Sequence, residues 1–273
     1  MEALLQRLGI ALNYQQEMLI AALMATRTLT MVTQTPWLGG KNIPPEIKMG
    51  IGVMVTILVW PLARATMTGA VPVTPIPFFF LMMKEVFIGF TIGFMASSFD
   101  TLSVAGRVID TVRGTSMAEV MVPLSGERAT PIGDLFFQLM LVVFMAMGGH
   151  RIFLQAYAHS FEVIPLDVHL DYGGALWPFF DLIMRVTGEM LFIGVLIATP
   201  VIAATFITDL VFGILNRVAP QLNAYFLSMP VKAMAGIIMI FIAMEPLVTR
   251  MLAYLEWALS VVEELISLLV RGT

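Results

Sequence analysis

Six uncharged apolar runs mark the chain, and none has the shape of a plain membrane-crossing helix. Met49–Ala63 has fifteen residues and contains Pro61, and Ala65–Met83 has nineteen but holds Pro72, Pro75 and Pro77. Val86–Phe99 has fourteen, Leu135–Gly149 fifteen, Met190–Thr208 nineteen with Pro200 inside, and Ala233–Met244 twelve. A bilayer crossing takes ~20 largely apolar residues, so only Met190–Thr208 approaches one. Charges stand at the edges of nearly every run: Arg27, Arg64, Lys84 with Glu85, Asp100, Arg151, Asp209, Lys232 and Glu245. Each would cost ~2.5–3.5 kcal/mol at the centre of a lone helix in lipid. The pattern predicts bent, broken helices packed in an assembly, with the edge charges facing protein or water.

Composition narrows the class further. The chain has 273 residues, 59% hydrophobic and 12% charged, where a soluble domain has about 25% charged residues. No polar block is long enough to form a separate soluble domain, so residues 1–273 read as one membrane-associated, all-α unit. A net charge of -4 without any basic run argues against nucleic-acid binding. With no cysteine, disulfides, thiolate nucleophiles and cysteine metal sites are excluded. The opening MEALLQRLGIALNYQQEMLI carries Glu2, Arg7 and Glu17 and reads as an amphipathic helix rather than a signal peptide. Glu162–Glu189 holds five acids against one cation, Arg185, which assigns the expected loop EVIPLDVHLDYGGALWPF to the extracytoplasmic side. At the C-terminus, Leu252, Leu255, Leu259, Val262, Ile266 and Leu269 recur at spacings of three and four, an apolar seam for a partner helix or for the chain itself.

Catalytic patterns are missing. GTSMA, Gly114–Ala118, departs from the G-x-S-x-G elbow at its last residue, and PLSGE, Pro123–Glu127, lacks the leading glycine. Asp134 and Asp209 are available for an aspartyl hydrolase, but neither sits in a distinctive motif. His150, His159 and His169 lack the spacing of helical metal ligands. The expectation is a protein with no enzyme activity, cofactor or metal.

Two clusters carry the remaining signal. In AGRVIDTVRGTSMAEVMVPLSGERATPIGD, the charge ladder Arg107, Asp110 and Arg113 has a spacing of three, so a helix puts its neighbours together. The ladder reads equally as internal neutralisation or as a functional charge. Beyond it, Gly114, Ser116, Met117, Met121 and Pro123 form a soft, Met-containing loop suited to a compliant seal. The second cluster is LNRVAPQLNAYFLSMPVKAMAG, Leu215–Gly236. Arg217, Pro220, Gln221, Asn223, Pro230 and Lys232 read as a helix-turn-helix tip between Pro220 and Pro230. The prolines free backbone groups, and the side-chain amides can satisfy them on this chain or on a neighbour. A solvated loop is the alternative, although Leu222, Tyr225, Phe226 and Leu227 are too apolar to favour it.

These stretches resemble one family. R-x-A-P-Q-L-N at Arg217–Asn223, with M-P-V-K at Met229–Lys232, is similar to the signature of the SctT/FliR proteins of type III secretion export apparatus. IPPEIKMGIGVMVT (Ile43–Thr56), KEVFIGFTIGFM (Lys84–Met95) and GGHRIFLQAYAHSFEVIPL (Gly148–Leu166) extend the resemblance over most of the chain. R-G-x-S-M and P-L-S-G in the middle resemble the injectisome branch, SctT, more than the flagellar branch, FliR.

The resemblance implies bent helical hairpins in a helical hetero-oligomer with SctR and SctS, joined by SctU, partly on the periplasmic side of the bacterial inner membrane. It implies an SctR-like portion at 1–165 and an SctS-like portion at 175–273. It maps a plug onto Arg113–Pro131, with Arg113, Gly114, Ser116, Met117, Met121 and Pro123 as seal residues. Arg217, Pro220, Gln221, Asn223, Pro230 and Lys232 become subunit contacts. The implied traffic is unfolded secreted protein. A flagellar homologue, a secondary transporter and an intramembrane hydrolase are the rival readings.

Overall fold

Proline begins helices in this protein more often than it breaks them. The computed structural model describes residues 14–40, 43–67, 69–97, 101–113, 120–121, 128–168 and 172–271. Its helices are α1 (Tyr14–Gln34), α2 (Pro36–Gly39), α3 (Pro45–Thr66), α4 (Pro75–Ser97), α5 (Thr101–Val112), α6 (Pro131–Ala146), α7 (Gly149–Val163), α8 (Tyr172–Val218), α9 (Ala224–Ile242) and α10 (Met244–Arg271). Four of them start on a proline, whose missing N–H is one that the first turn leaves without a partner in any case. Pro61, Pro200 and Pro230 lie within α3, α8 and α9. The fold is all-α. Among the described residues the strand pairing is one two-residue antiparallel ladder, β1 (Val120–Met121) with β2 (Arg128–Ala129).

This corrects the expected run lengths. Among the described residues, four helices are long and apolar enough to cross a membrane: α3, α4, the Phe180–Val218 part of α8, and α9. Helix α4 contains Lys84 and Glu85, which the sequence suggested as an edge, because both charges are buried within protein. The acidic segment is also shorter as a loop than expected, since α8 already begins at Tyr172. The ladder gives local order inside the stretch expected to be loop. Residues 1–13, and with them most of the expected N-terminal amphipathic helix, lie outside the described residues.

Contacts divide the chain into two compact units that interleave in sequence. The first comprises residues 1–97, 151–180 and 261–273. Its centre is α1, which packs on α2, α3 and α4. Ile20, Leu23, Met24, Met31 and Val32 of α1 are buried. Helix α4 approaches closely through Gly89 and Gly93, a small-x-x-x-small spacing that lets helix backbones meet. A Cβ on Gly93 would lie 2.6 Å from Gln34 Cβ and 3.0 Å from the Met31 carbonyl, and one on Gly89 would strike the Arg27 carbonyl. Helix α7 adds a 4.9 Å edge-on contact between Phe153 and Trp37 and a 2.5 Å hydrogen bond between the Tyr157 and Thr28 hydroxyls. Polar links close the outer end. The Gln16 amide exchanges two hydrogen bonds with the Val71 backbone, and Arg64 pairs with Glu17 at 2.8 Å.

The second unit comprises residues 98–150 and 181–260. Helices α5 and α6 pack at Gly106 and Gly133, where a Cβ on Gly106 would sit 2.6 Å from Gly133 Cα. On α10 the buried face is Leu247, Met251, Tyr254, Leu255 and Ala258. The Tyr254 hydroxyl meets Thr101 Oγ1 at 3.0 Å. The expected seam is thus displaced: Leu255 belongs to it, but Leu252 is only half-buried. The side chains of Leu259, Val262, Ile266 and Leu269 lie outside the described structure.

The crossing at Gly89 gives a direct test. Gly89→Val is expected to cost ~1–3 kcal/mol by overpacking, read as a lower unfolding midpoint in detergent. Gly50→Ala, where a Cβ meets nothing within 4 Å, is the control expected to leave the midpoint in place. Equal midpoints for both variants would contradict the packing.

Candidate functional site

Buried charge organises both units. In the first, Arg27, Lys84 and Glu85 are each at most 1% exposed. Arg27 grips Glu85 with two donors, Nε to Oε2 at 2.5 Å and Nη2 to Oε1 at 3.1 Å. Its remaining donors go to the end of α7: Nη1 to the Ser160 carbonyl at 3.0 Å and to Ser160 Oγ at 3.2 Å, and Nη2 to the Ile164 carbonyl at 2.9 Å. The guanidinium also lies 4.1 Å over the Phe161 ring. Lys84 Nζ reaches Glu85 Oε1 at 2.9 Å and donates to the carbonyls of Pro165, Leu166 and Val168 at 2.8, 3.1 and 3.0 Å.

The cluster therefore has two cations and one carboxylate. Both basic side chains face the C-terminal end of a helix, where unpaired carbonyls and the helix dipole favour a cation. Asp167 in the next turn accepts the Gly69 amide at 2.6 Å, tying this same turn to the approach of α4. In the sequence these charges read only as run edges. Their signal was available: an adjacent Lys-Glu pair inside a long apolar helix needs a protein partner.

The second unit uses the opposite sign. Asp110 Oδ2 accepts the Ile132 and Gly133 amides at 2.9 and 3.4 Å. An anion thus caps the first turn of α6. Arg113 lies 3.6 Å from Asp110 Oδ1 and donates from Nη2 to the Ala233 carbonyl of α9 at 3.1 Å. Both are buried. Arg107 is exposed, and its Nη1 donates to Ser103 Oγ at 2.6 Å. Of the expected seal residues, Arg113 is placed as described and Met121 belongs to β1. Gly114, Ser116, Met117 and Pro123 lie outside the described residues.

The third feature is the hairpin of α8 and α9. Its turn runs from Ala219 to Asn223 and closes with backbone hydrogen bonds from Ala219 to Leu215 and from Leu222 to Ala219. Pro220 is in the turn, whereas Pro230 is well inside α9, so the turn is tighter than expected. Arg217, Gln221 and Asn223 are exposed. Asn223 stands at the helix start without a side-chain capping bond. Around them Val218, Leu222, Tyr225 and Phe226 are also exposed, from 47% to 77%. Lys232 pairs with Asp209 across the hairpin. Asp209 thus has a cationic partner, and Asp134 is exposed on the first turn of α6. Among the described residues, no three of His, Asp and Glu gather as metal ligands.

Four apolar helices of crossing length, buried ion clusters and an exposed apolar hairpin define a multi-pass helical membrane protein. The family model of bacterial export proteins, family 1, matches residues 18–257, and the chain belongs to that family. The resemblance to the SctT/FliR proteins therefore stands. The flagellar biosynthetic protein FliR of Escherichia coli strain K12 is 27% identical over 224 residues, covering 81% of this chain and 82% of the relative. The Yop proteins translocation protein T of Yersinia pestis is 29% identical over 192 residues, covering 70% of this chain and 71% of the relative. The surface presentation of antigens protein SpaR of Shigella sonnei is 28% identical over 171 residues, covering 60% and 62%.

Glu85 is the element whose loss leaves the first cluster most exposed electrostatically. Glu85→Gln would leave Arg27 and Lys84 buried together without the carboxylate that both contact. Its expected cost is ~3–5 kcal/mol, the range for removing one member of a buried ion pair. Denaturant unfolding in detergent measures it, and a stability equal to wild type would contradict the assigned role.

Proposed function

We propose that this chain is a structural subunit of the export gate of a type III secretion apparatus in the bacterial inner membrane, with part of its mass on the periplasmic side. It helps form and seal the entrance pore through which unfolded secretion substrates pass. Its role is to shape and close a passage, with no reaction of its own. Its partners are the SctR, SctS and SctU homologues. Residues 1–165 are the SctR-like portion and residues 175–273 the SctS-like portion. The injectisome branch is preferred on the sequence R-G-x-S-M at Arg113–Met117 and P-L-S-G at Pro123–Gly126. The flagellar apparatus is the second reading, favoured by the FliR relatives.

The observation that carries the assembly is the length of the apolar face on α8. From Met184 to Val218 this helix exposes Leu191, Phe192, Val195, Phe206, Ile207, Leu210, Val211 and Ile214, interspersed with the exposed charges Arg185, Glu189, Asp209 and Arg217. At the helical rise that stretch is about 51 Å long. The hydrocarbon core of a bilayer is only ~30 Å thick. Even at a tilt of ~40°, the steep end of the observed range, the face would span about 39 Å. Lipid alone is too thin to cover it, and helices from neighbouring subunits supply the remaining cover. The exposed amides and aromatics of the tip supply polar and apolar contacts for the same neighbours. This is our reading of the polarity between α8 and α9: it faces another subunit.

The seal is assigned to the segment between Arg113 and Pro131, with Gly114, Ser116, Met117, Met121 and Pro123 as its contacts. Deleting Ser116–Ser125 is expected to raise ion leak through the assembled complex in liposomes. An unchanged leak in a complex of full subunit content would overturn the assignment. For the tip, Gln221→Ala with Asn223→Ala and Tyr225→Ala is expected to reduce co-purification with the SctR and SctS homologues at least severalfold, since aromatic anchors dominate such contacts. Undiminished recovery would return the tip to a solvated turn.

A further inference from the structure

Arg113 is a buried arginine with few acceptors. It is 5% exposed and stands at the end of α5, where the chain departs towards residues 114–119. A guanidinium offers five N–H donors. Here Nη2 donates to the Ala233 carbonyl at 3.1 Å and Nη1 stands 3.6 Å from Asp110. Nε is buried and has no hydrogen-bond partner among the described residues. Oδ2 of Asp110 is committed to the first turn of α6. Arg27 in the other unit is the contrast, with a two-pronged carboxylate contact, two carbonyls and an aromatic face. Arg27 is built to stay, whereas Arg113 is held by one hydrogen bond, a longer ion pair to Asp110 and shape.

The shape comes from Gly236, one turn beyond Ala233 on α9. It is buried, and a Cβ there would run into Cγ, Cδ and Nε of Arg113. The arginine stem lies in the space that glycine leaves open. Pro230 stands one turn before Ala233 and removes a helical N–H donor, which weakens α9 just ahead of the arginine's acceptor.

We propose that Arg113 is a releasable latch, a positioning residue that ties the end of α5 to α9 and lets go when α9 shifts. The inference rests on the reading of Arg113–Pro131 as the seal. Arg113 then anchors the α5 end of that seal to the hairpin that meets neighbouring subunits. A movement imposed on the hairpin is thereby passed to the root of the seal.

The test is a double-mutant cycle of Arg113→Met and Gly236→Ala in the co-purified assembly, with the Ser116–Ser125 deletion as reference. Ion leak in liposomes is one readout. The other is the spin-label distance between exposed positions 111 and 234, introduced as cysteines into a chain that has no other cysteine. Each single substitution is expected to raise leak about tenfold, the shift produced by losing one charge-assisted hydrogen bond, and to broaden the distance. The double variant is expected to match Arg113→Met, because Gly236→Ala acts only by evicting the arginine. Arg113→Lys, which keeps a charge and a donor, is expected to restore part of the wild-type behaviour.

A full separate effect of Gly236→Ala in the Arg113→Met background would overturn the latch. So would wild-type leak and distance in Arg113→Met while the deletion leaks. If the deletion does not leak, the seal reading fails and the distances decide the tie between α5 and α9: broadening supports it, and an unchanged distance overturns it.

Discussion

A lysine and a glutamate in the middle of a helix otherwise fit for lipid impose the strongest constraint on this chain. Lys84 and Glu85 sit near the centre of α4, where isolated charges are costly. The protein meets that constraint by bringing Arg27 from α1 and the carbonyl-rich end of α7 to the same point. Once these groups meet, much of the first unit follows. Helix α1 must lie at the centre, α4 must approach it closely enough to need Gly89 and Gly93, and α7 must end where its carbonyls face the two cations.

The second unit solves a related problem with the charge reversed. Asp110 holds the start of α6, whereas Arg27 and Lys84 hold the end of α7. In both cases a helix terminus supplies the polar partners that apolar surroundings do not. The difference lies in how fully the cations are paired. A saturated cluster fixes structure, and a sparsely paired arginine beside a glycine leaves room for movement. The exposed apolar residues of α8, spread on both sides of Asp209, support the proposal that neighbours cover it.

Class was legible in the sequence, and geometry only partly. Few charges and many apolar runs were enough for an all-α membrane protein, and R-x-A-P-Q-L-N with M-P-V-K was enough for the family. Helix lengths were not legible, because Pro75 and Pro131 act as starts while Pro61, Pro200 and Pro230 are absorbed. A proline has the same letter in either role, and its neighbours in space decide the outcome. The Arg27–Glu85 contact joins residues 58 positions apart, so no local pattern could pair them. The ladder at Arg107, Asp110 and Arg113 was visible as spacing. The partners of Asp110 and Arg113 at Ile132, Gly133 and Ala233 come from other helices and were not.

Whether other subunits complete the exposed hairpin is decided by native mass spectrometry in mild detergent, comparing the chain expressed alone with the chain expressed beside the SctR and SctS homologues of its proposed assembly. The expected result is a stable hetero-oligomer containing this chain and several copies of small membrane partners. A monomer or homo-oligomer that is unchanged by the presence of those partners would contradict it.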